Sequence, residues 1–135
     1  MAVFVDTGIF VAVRNRKDIN HQRAKELMRQ ALKARFGIIR TSDYVVDEAV
    51  TTALARTRNH QIAVNTGRYI LSSPRIETLP VLTDDFDLAW RKFQTILDKP
   101  LSFTDCTSLA LMERRGIERI MSFDSGFDGL ADRIC

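Results

Sequence analysis

Four carboxylates stand where this chain is able to do chemistry. Asp6 follows the apolar run Val3-Phe4-Val5, and Asp124 follows Ile120-Met121-Ser122-Phe123. Both runs read as short buried strands, and each acid falls where its strand should end. In open α/β sheets the ligand crevice lies outside the carboxyl ends of the strands. Asp105 at a helix start and Glu48 inside a helix complete the set. Four like charges in one cleft repel unless a cation joins them or some stay protonated. Hard oxygen donors suit Mg²⁺ or Mn²⁺ and argue against zinc. The spacing predicts an acidic cleft for one or two divalent ions.

Each acid also has a plainer role. Asp6 can form an Asx-turn over Thr7-Gly8. Ser102-x-x-Asp105 has the form of a capping box, with the acid favoured by the helix dipole. Asp124 opens the turn-like Asp124-Ser125-Gly126-Phe127-Asp128, and Asp128 is either an accessory ligand or the cap of a last short helix before Leu130. Glu48 lies off the centre of the Val46-Ala49-Val50-Ala53 stripe, and Asp47 lies nearer to it. Periodicity does not choose between them, and a solvated surface Glu is the default.

The charge balance points to a polyanion. The net charge is +3. With Asp6, Glu48, Asp105, Asp124 and Asp128 set aside in one cleft, the remainder carries three plus five, or +8. Arg14, Arg16, Lys17, Arg23, Lys25, Arg29, Lys33, Arg35 and Arg40 follow the first strand with only Asp18 and Glu26 among them. An acidic centre in a basic surround attracts phosphates overall while a metal holds the reacting one. The pattern fits a metal-dependent nuclease.

The elements that must position these groups alternate along the chain. Ala2–Val5, Ile38-Ile39, the Ile76–Leu82 region and Ile117–Phe123 supply strands. Between them lie a brief helix through Ile9–Val13 and a clearer one carrying Ala24, Leu27, Met28, Ala31 and Leu32, stopped by Gly37. Further helices carry Val45 to Leu54, His60 to Ser73, Phe86 to Leu97 (capped by Thr83) and Ser102 to Leu111. The order β-α-α-β-α-α-β-α-α-β predicts one α/β domain over residues 1–135, a parallel sheet between helical layers. At 135 residues, 45% apolar and 27% charged, the composition is that of a soluble globular protein. No stretch reads as a membrane span or a secretory signal. Cys106 and Cys135 show no metal spacing and no expected disulfide, and a reducing cytoplasm fits. His21 and His60 read as surface residues, which argues against a histidine-based, metal-free ribonuclease.

The quartet in its setting resembles the PIN-domain family, and within it the VapC-type toxin ribonucleases. The matching pieces are Val5-Asp6-Thr7, then Thr41-Ser42 leading into the helix with Glu48. They continue as Leu101-Ser102-Phe103-Thr104-Asp105 and Ile120-Met121-Ser122-Phe123-Asp124, with Phe127 beyond. The resemblance spans nearly the whole chain and implies a PIN-like three-layer fold. By position it makes Asp6, Glu48, Asp105 and Asp124 the catalytic, metal-binding acids. Asp128 matches an extra metal-binding acid that only some members use, and Ser122 stands where Thr is frequent. The implied activity is endoribonuclease hydrolysis of RNA phosphodiesters. Asp6 and Asp105, with Asp124 nearby, would hold one ion, and Glu48 would hold or deprotonate the attacking water. Thr7, Thr104 and Ser122 would hydrogen-bond the acids, and Arg14, Arg16 and Lys17 would bind RNA phosphates.

The resemblance further implies a homodimer and a small VapB-type antitoxin covering the active site. Ile9, Phe10, Val11 and Val13 would serve that groove or the core. A haloacid-dehalogenase phosphatase would need an acid at Gly8, and a response-regulator receiver a lysine where Asp124 stands. The stronger rival is a PIN-like domain that binds RNA or protein without cutting. Keeping four mutually repelling acids counts against it.

Overall fold

A computed structural model describes residues 1–135. Five strands, β1 (Ala2–Val5), β2 (Ile38–Ser42), β3 (Ile76–Leu79), β4 (Arg119–Met121) and β5 (Asp132–Ile134), form one sheet in the order β3-β2-β1-β4-β5. Every pairing is parallel, with Val3 opposite Ile39 on one side and Arg119 on the other. Six helices connect and cover it: α1 (Thr7–Arg14), α2 (His21–Leu32), α3 (Asp43–Thr57), α4 (His60–Leu71), α5 (Thr83–Thr95) and α6 (Phe103–Arg115). Successive residues of a strand face opposite sides of the sheet. Val3, Phe4 and Val5 are all fully buried, so both faces of β1 are covered. The three-layer α/β architecture expected from the sequence is the one observed.

The strand order fixes where a ligand can enter. From β1 the chain winds outward through β2 to β3, then crosses back to β4 on the other side of β1. The switch point therefore lies between the carboxyl ends of β1 and β4, where such sheets open a crevice. Asp6 and Asp124 lie just beyond those two strand ends.

Several local expectations are corrected. β5 was not foreseen, because Asp132-Arg133-Ile134 carries one apolar residue; charged side chains suit a sheet edge. No helix follows Asp128; a single 3₁₀ turn at Ser125–Phe127 precedes it. Gly37 does not stop α2, which ends at Leu32. Its φ of +85° instead lets the backbone of Met1 pass so closely that a Cβ there would collide with the Met1 carbonyl. Thr83 begins α5 and does not cap it; the Asp85 carboxylate accepts from the Leu82 N–H at 2.9 Å.

α5 also differs in what its apolar stripe does. Ala89 and Asp85 are its buried residues, while Phe86, Trp90 and Phe93 stay about half exposed. Ile96 and Leu97 lie beyond its end. Asp85 is fully buried and ties α5 to α6 by accepting from Arg114 Nε at 2.8 Å and Arg115 Nη1 at 3.3 Å. Burial alone would push its carboxyl up, but the Leu82 N–H and the two guanidinium groups hold it below the usual range. Ile9, Phe10, Val11 and Val13 belong to the hydrophobic core, the second of the two roles open to them; of the four, Val11 also reaches the wall of an open cleft. His60 is exposed as expected. His21 is not purely a surface residue: it is half-buried, with Nδ1 2.7 Å from the Ala12 carbonyl oxygen.

Candidate active site

A cleft of about 670 Å³ opens at the switch point. Asp6, Glu48, Asp105 and Asp124 all line it, so the four acids singled out by position meet in one place. Four different elements deliver them. Asp6 is the N-cap of α1, directly after β1. Glu48 sits in the second turn of α3, whose start is fixed by the Ser42 hydroxyl accepting from the Val45 N–H at 3.1 Å. Asp47 is exposed and outside the cleft, which resolves the ambiguity of the helical wheel.

Asp105 is both cap and cleft residue. Its Oδ2 accepts from the Ser102 N–H at 2.9 Å, while the Ser102 hydroxyl accepts from the Asp105 N–H at 3.0 Å. Asp124 caps the 3₁₀ turn by accepting from the Gly126 N–H at 2.8 Å. Ser122 links two of the acids. Its hydroxyl donates to Asp6 Oδ2 at 2.7 Å and accepts from the Asp124 N–H at 3.0 Å.

Two of the four carboxylates, Asp6 and Asp105, are buried and poorly hydrated. Asp6 is 6% exposed and its carboxyl is pushed up to about 7. Burial is the main cause, opposed by the Ser122 hydrogen bond and reinforced by the charges of Asp105 and Glu48. Burial likewise raises Asp105 to about 6; Ser102 pulls against it, while Glu48 and Asp124 add to it. Asp6 Oδ1 and Thr7 Oγ1 are buried with no hydrogen-bond partner. A buried oxygen of this kind costs free energy unless something joins it.

These features fit a hard cation: oxygen donors only, an unpartnered carboxylate oxygen, and two carboxyls whose burial a positive ion would offset. As they stand, no three acids are gathered tightly enough to share one ion. Asp105 and Asp124 each turn an oxygen to a backbone N–H instead.

The remaining expected residues divide. Thr7 and Lys17 line the cleft, but the Thr7 hydroxyl bonds to no acid, being buried without a partner. Arg14 and Arg16 lie in an adjoining pocket. Thr104 does not support an acid through its hydroxyl; its carbonyl accepts from Thr107 and Ser108, and Ser102 supports Asp105. Asp128 is outside the cleft, because Arg133 holds its carboxylate through Nε at 2.6 Å and Nη2 at 3.2 Å. That guanidinium also keeps Asp128 below the usual carboxylate range. Asp18, Asn20, Thr52 and Arg56 line the cleft and were missed. Thr52 and Arg56 follow Glu48 by four and eight residues on one helix, so their shared face was available in the sequence.

The profile of the PIN domain matches residues 3–133. The chain belongs to the PIN-domain family. Among PIN-domain proteins it is 32% identical over 126 residues to the 23S rRNA-specific endonuclease VapC20 of Mycobacterium tuberculosis, covering 93% of this chain and 91% of that protein. The crystal structure of that VapC20, described as a sarcin–ricin loop cleaving toxin, superposes with a TM-score of 0.82 at 30% identity over 93% of this chain and 92% of the other. VapBC2 from Rickettsia felis, bound to a promoter DNA fragment, shares the PIN fold at 14% identity with a TM-score of 0.66, covering 99% and 98% of the two chains. FitAcB from Neisseria gonorrhoeae does so at 13% identity with a TM-score of 0.69, covering 98% and 96%.

Proposed function

We propose that this PIN-domain protein, a homologue of the VapC endonucleases, is a divalent-metal-dependent endoribonuclease and the toxin of a VapBC-type pair. The observation that carries the reading is the convergence of Asp6, Glu48, Asp105 and Asp124 on one cleft at the sheet's switch point. Asp6, Asp105 and Asp124 would hold Mg²⁺ or Mn²⁺ after drawing closer than they stand now, with Asp6 Oδ1 the oxygen that lacks any other partner. The bound ion supplies Lewis acidity, neutralising phosphate charge and lowering the pKa of water. Glu48, on the cleft wall and in no ion pair, is the base for the attacking water. Ser122 keeps Asp6 oriented and favours its ionised form. Water adds at phosphorus, the P–O bond to the leaving nucleoside breaks, and that oxygen takes up a proton.

Ribosomal RNA is the first substrate class to test, because the VapC20 relative is named for cutting it. The proposed setting is the cytoplasm; no helix is long and apolar enough to cross a membrane. An antitoxin and a second copy are the proposed partners. Phe86, Trp90 and Phe93 on α5 supply exposed apolar surface that the buried α1 residues cannot.

The test is incubation of ribosomes and extracted ribosomal RNA with the purified protein in Mg²⁺ or Mn²⁺. Discrete fragments that EDTA abolishes, and that Glu48→Gln reduces by roughly 100-fold or more, are expected. Cutting that persists in EDTA would contradict the metal-dependent reading, and no cutting of any RNA would favour a binding module.

Ser122→Ala should weaken Mn²⁺ binding by about 10- to 100-fold, the usual effect of losing a group that orients a ligand. Ser122→Thr should restore it by keeping the hydroxyl. Titration calorimetry reads both.

A further inference from the structure

A second cavity of about 460 Å³ adjoins the acid cleft, walled by Arg14, Arg16, Lys17, Arg56, Asn59 and their neighbours. Asn15, Lys17 and Arg56 line both spaces, so the two adjoin. The lining of the second contains four cations and no acid. Arg14, Arg16 and Lys17 enter none of the ion pairs of the molecule. Arg56 has only a loose partner, Asp18 at 3.7 Å, and its side chain is 60% exposed. Arg14 lies over the Tyr69 ring at 5.3 Å, which positions its guanidinium without neutralising it.

The polar groups of the pocket are biased the same way. Asn15 Oδ1 accepts from the Lys17 N–H at 3.1 Å. Asn59 Oδ1 accepts from the Gln61 and Ile62 N–H groups and so caps α4. With both amide oxygens committed to backbone, each side chain keeps its NH₂ donors for a ligand. Asn59 also brings the positive end of the α4 dipole to the pocket wall. A lining of guanidinium, ammonium and amide donors is chemistry for an anion.

We propose that this pocket binds a backbone phosphate of the RNA strand beside the one being cut. The strand runs from the acid cleft across the seam of Asn15, Lys17 and Arg56 into the basic pocket. The proposal rests on the ribonuclease reading and adds a direction to it. It also adds two binding residues, Arg56 and Asn59, that the sequence did not single out. Held at a second phosphate, the strand lies along the cleft in a fixed orientation, with a phosphodiester presented to the acids.

The experiment is fluorescence anisotropy with a labelled single-stranded RNA in EDTA, which separates binding from cutting, across a salt series. The double variant Arg14→Ala/Arg56→Ala should bind RNA about 10-fold or more weakly at low salt. Its log K against log salt slope should shrink by about 0.7 for each phosphate that the pocket no longer neutralises. Mn²⁺ binding should be retained or tightened, since Arg56 is a cation on the wall of the acid cleft, and its retention shows that the cleft and fold are intact. Arg75→Ala, which removes an exposed cation outside the pocket, should bind like the parent. A double variant with the parental affinity and slope overturns the proposal while leaving the ribonuclease reading intact. So does one that keeps RNA but loses binding of poly-L-glutamate, which would assign the pocket to a protein partner. If the parent itself binds no RNA, both readings fail together.

Discussion

Asp6→Asn is expected to abolish RNA cleavage and, in EDTA at pH 8, to raise the melting temperature of the protein. Both effects come from one buried carboxylate. Asp6 is pushed up to about 7 from 3.8, mainly by burial. A carboxyl whose folded pKa is raised contributes stability that is fully present below its unfolded pKa. That contribution is lost as pH rises through the folded value. At pH 8 the folded state therefore carries an ionised, desolvated carboxylate, while the unfolded chain ionises it in water. At about 1.4 kcal/mol per pKa unit, the relief has an upper bound of roughly 4 kcal/mol. Asn can still accept the Ser122 hydrogen bond and carries no charge.

At pH 5 the parent's Asp6 is protonated, so the advantage of the variant should shrink. Saturating Mg²⁺ should close the gap from the other side, because an ion bound only to the folded parent stabilises it. Activity should fall by at least about 100-fold, more than the loss of an orienting neighbour causes. Melting curves at both pH values, with and without Mg²⁺, check the pattern. A variant that melts lower than the parent at pH 8 in EDTA would mean the acid is structurally required.

Phe10→Ala should destabilise the fold by about 3–5 kcal/mol, the usual range for truncating a buried aromatic. Phe10 is fully buried in α1, edge-on to Tyr69 with ring centres 6.3 Å apart. α1 packs against α2, α3 and α4, so the cavity would open where four helices meet. Total stabilities of such domains are about 5–15 kcal/mol, so a large part of the margin is at stake. Urea unfolding should show a lower midpoint with an unchanged slope. A loss under about 1 kcal/mol combined with a changed oligomeric mass would return Phe10 to the interface role that its sequence position also allowed.

The difference between those two residues shows what the sequence carried. β1 and β4 were legible because parallel strands buried on both faces read as short apolar runs, and the acids beyond them followed. β5 was not, since an edge strand of Asp132-Arg133-Ile134 has no such run. On α5, periodicity marked Phe86, Trp90 and Phe93 correctly as one face, but it cannot say whether a face meets the core or solvent. Asp128 was a candidate accessory ligand because it matches an extra acid of some PIN-domain members; Arg133, on the unforeseen strand, pairs with its carboxylate instead. Glu48 needed the family pattern, since its helical position alone favoured solvent. Arg56 was readable two turns along from Glu48, but only once Glu48 was known to face the cleft.

The most direct test of the acid quartet is titration of Mn²⁺ into the protein by calorimetry at pH 6 and pH 8. With Asp105 raised to about 6 and Asp6 to about 7, protons must leave before the ion can bind. Affinity should therefore be clearly higher at pH 8, proton release should be larger at pH 6, and Asp6→Asn should lose binding at both. Binding that ignores pH and survives in Asp6→Asn would put the ion elsewhere and contradict the account.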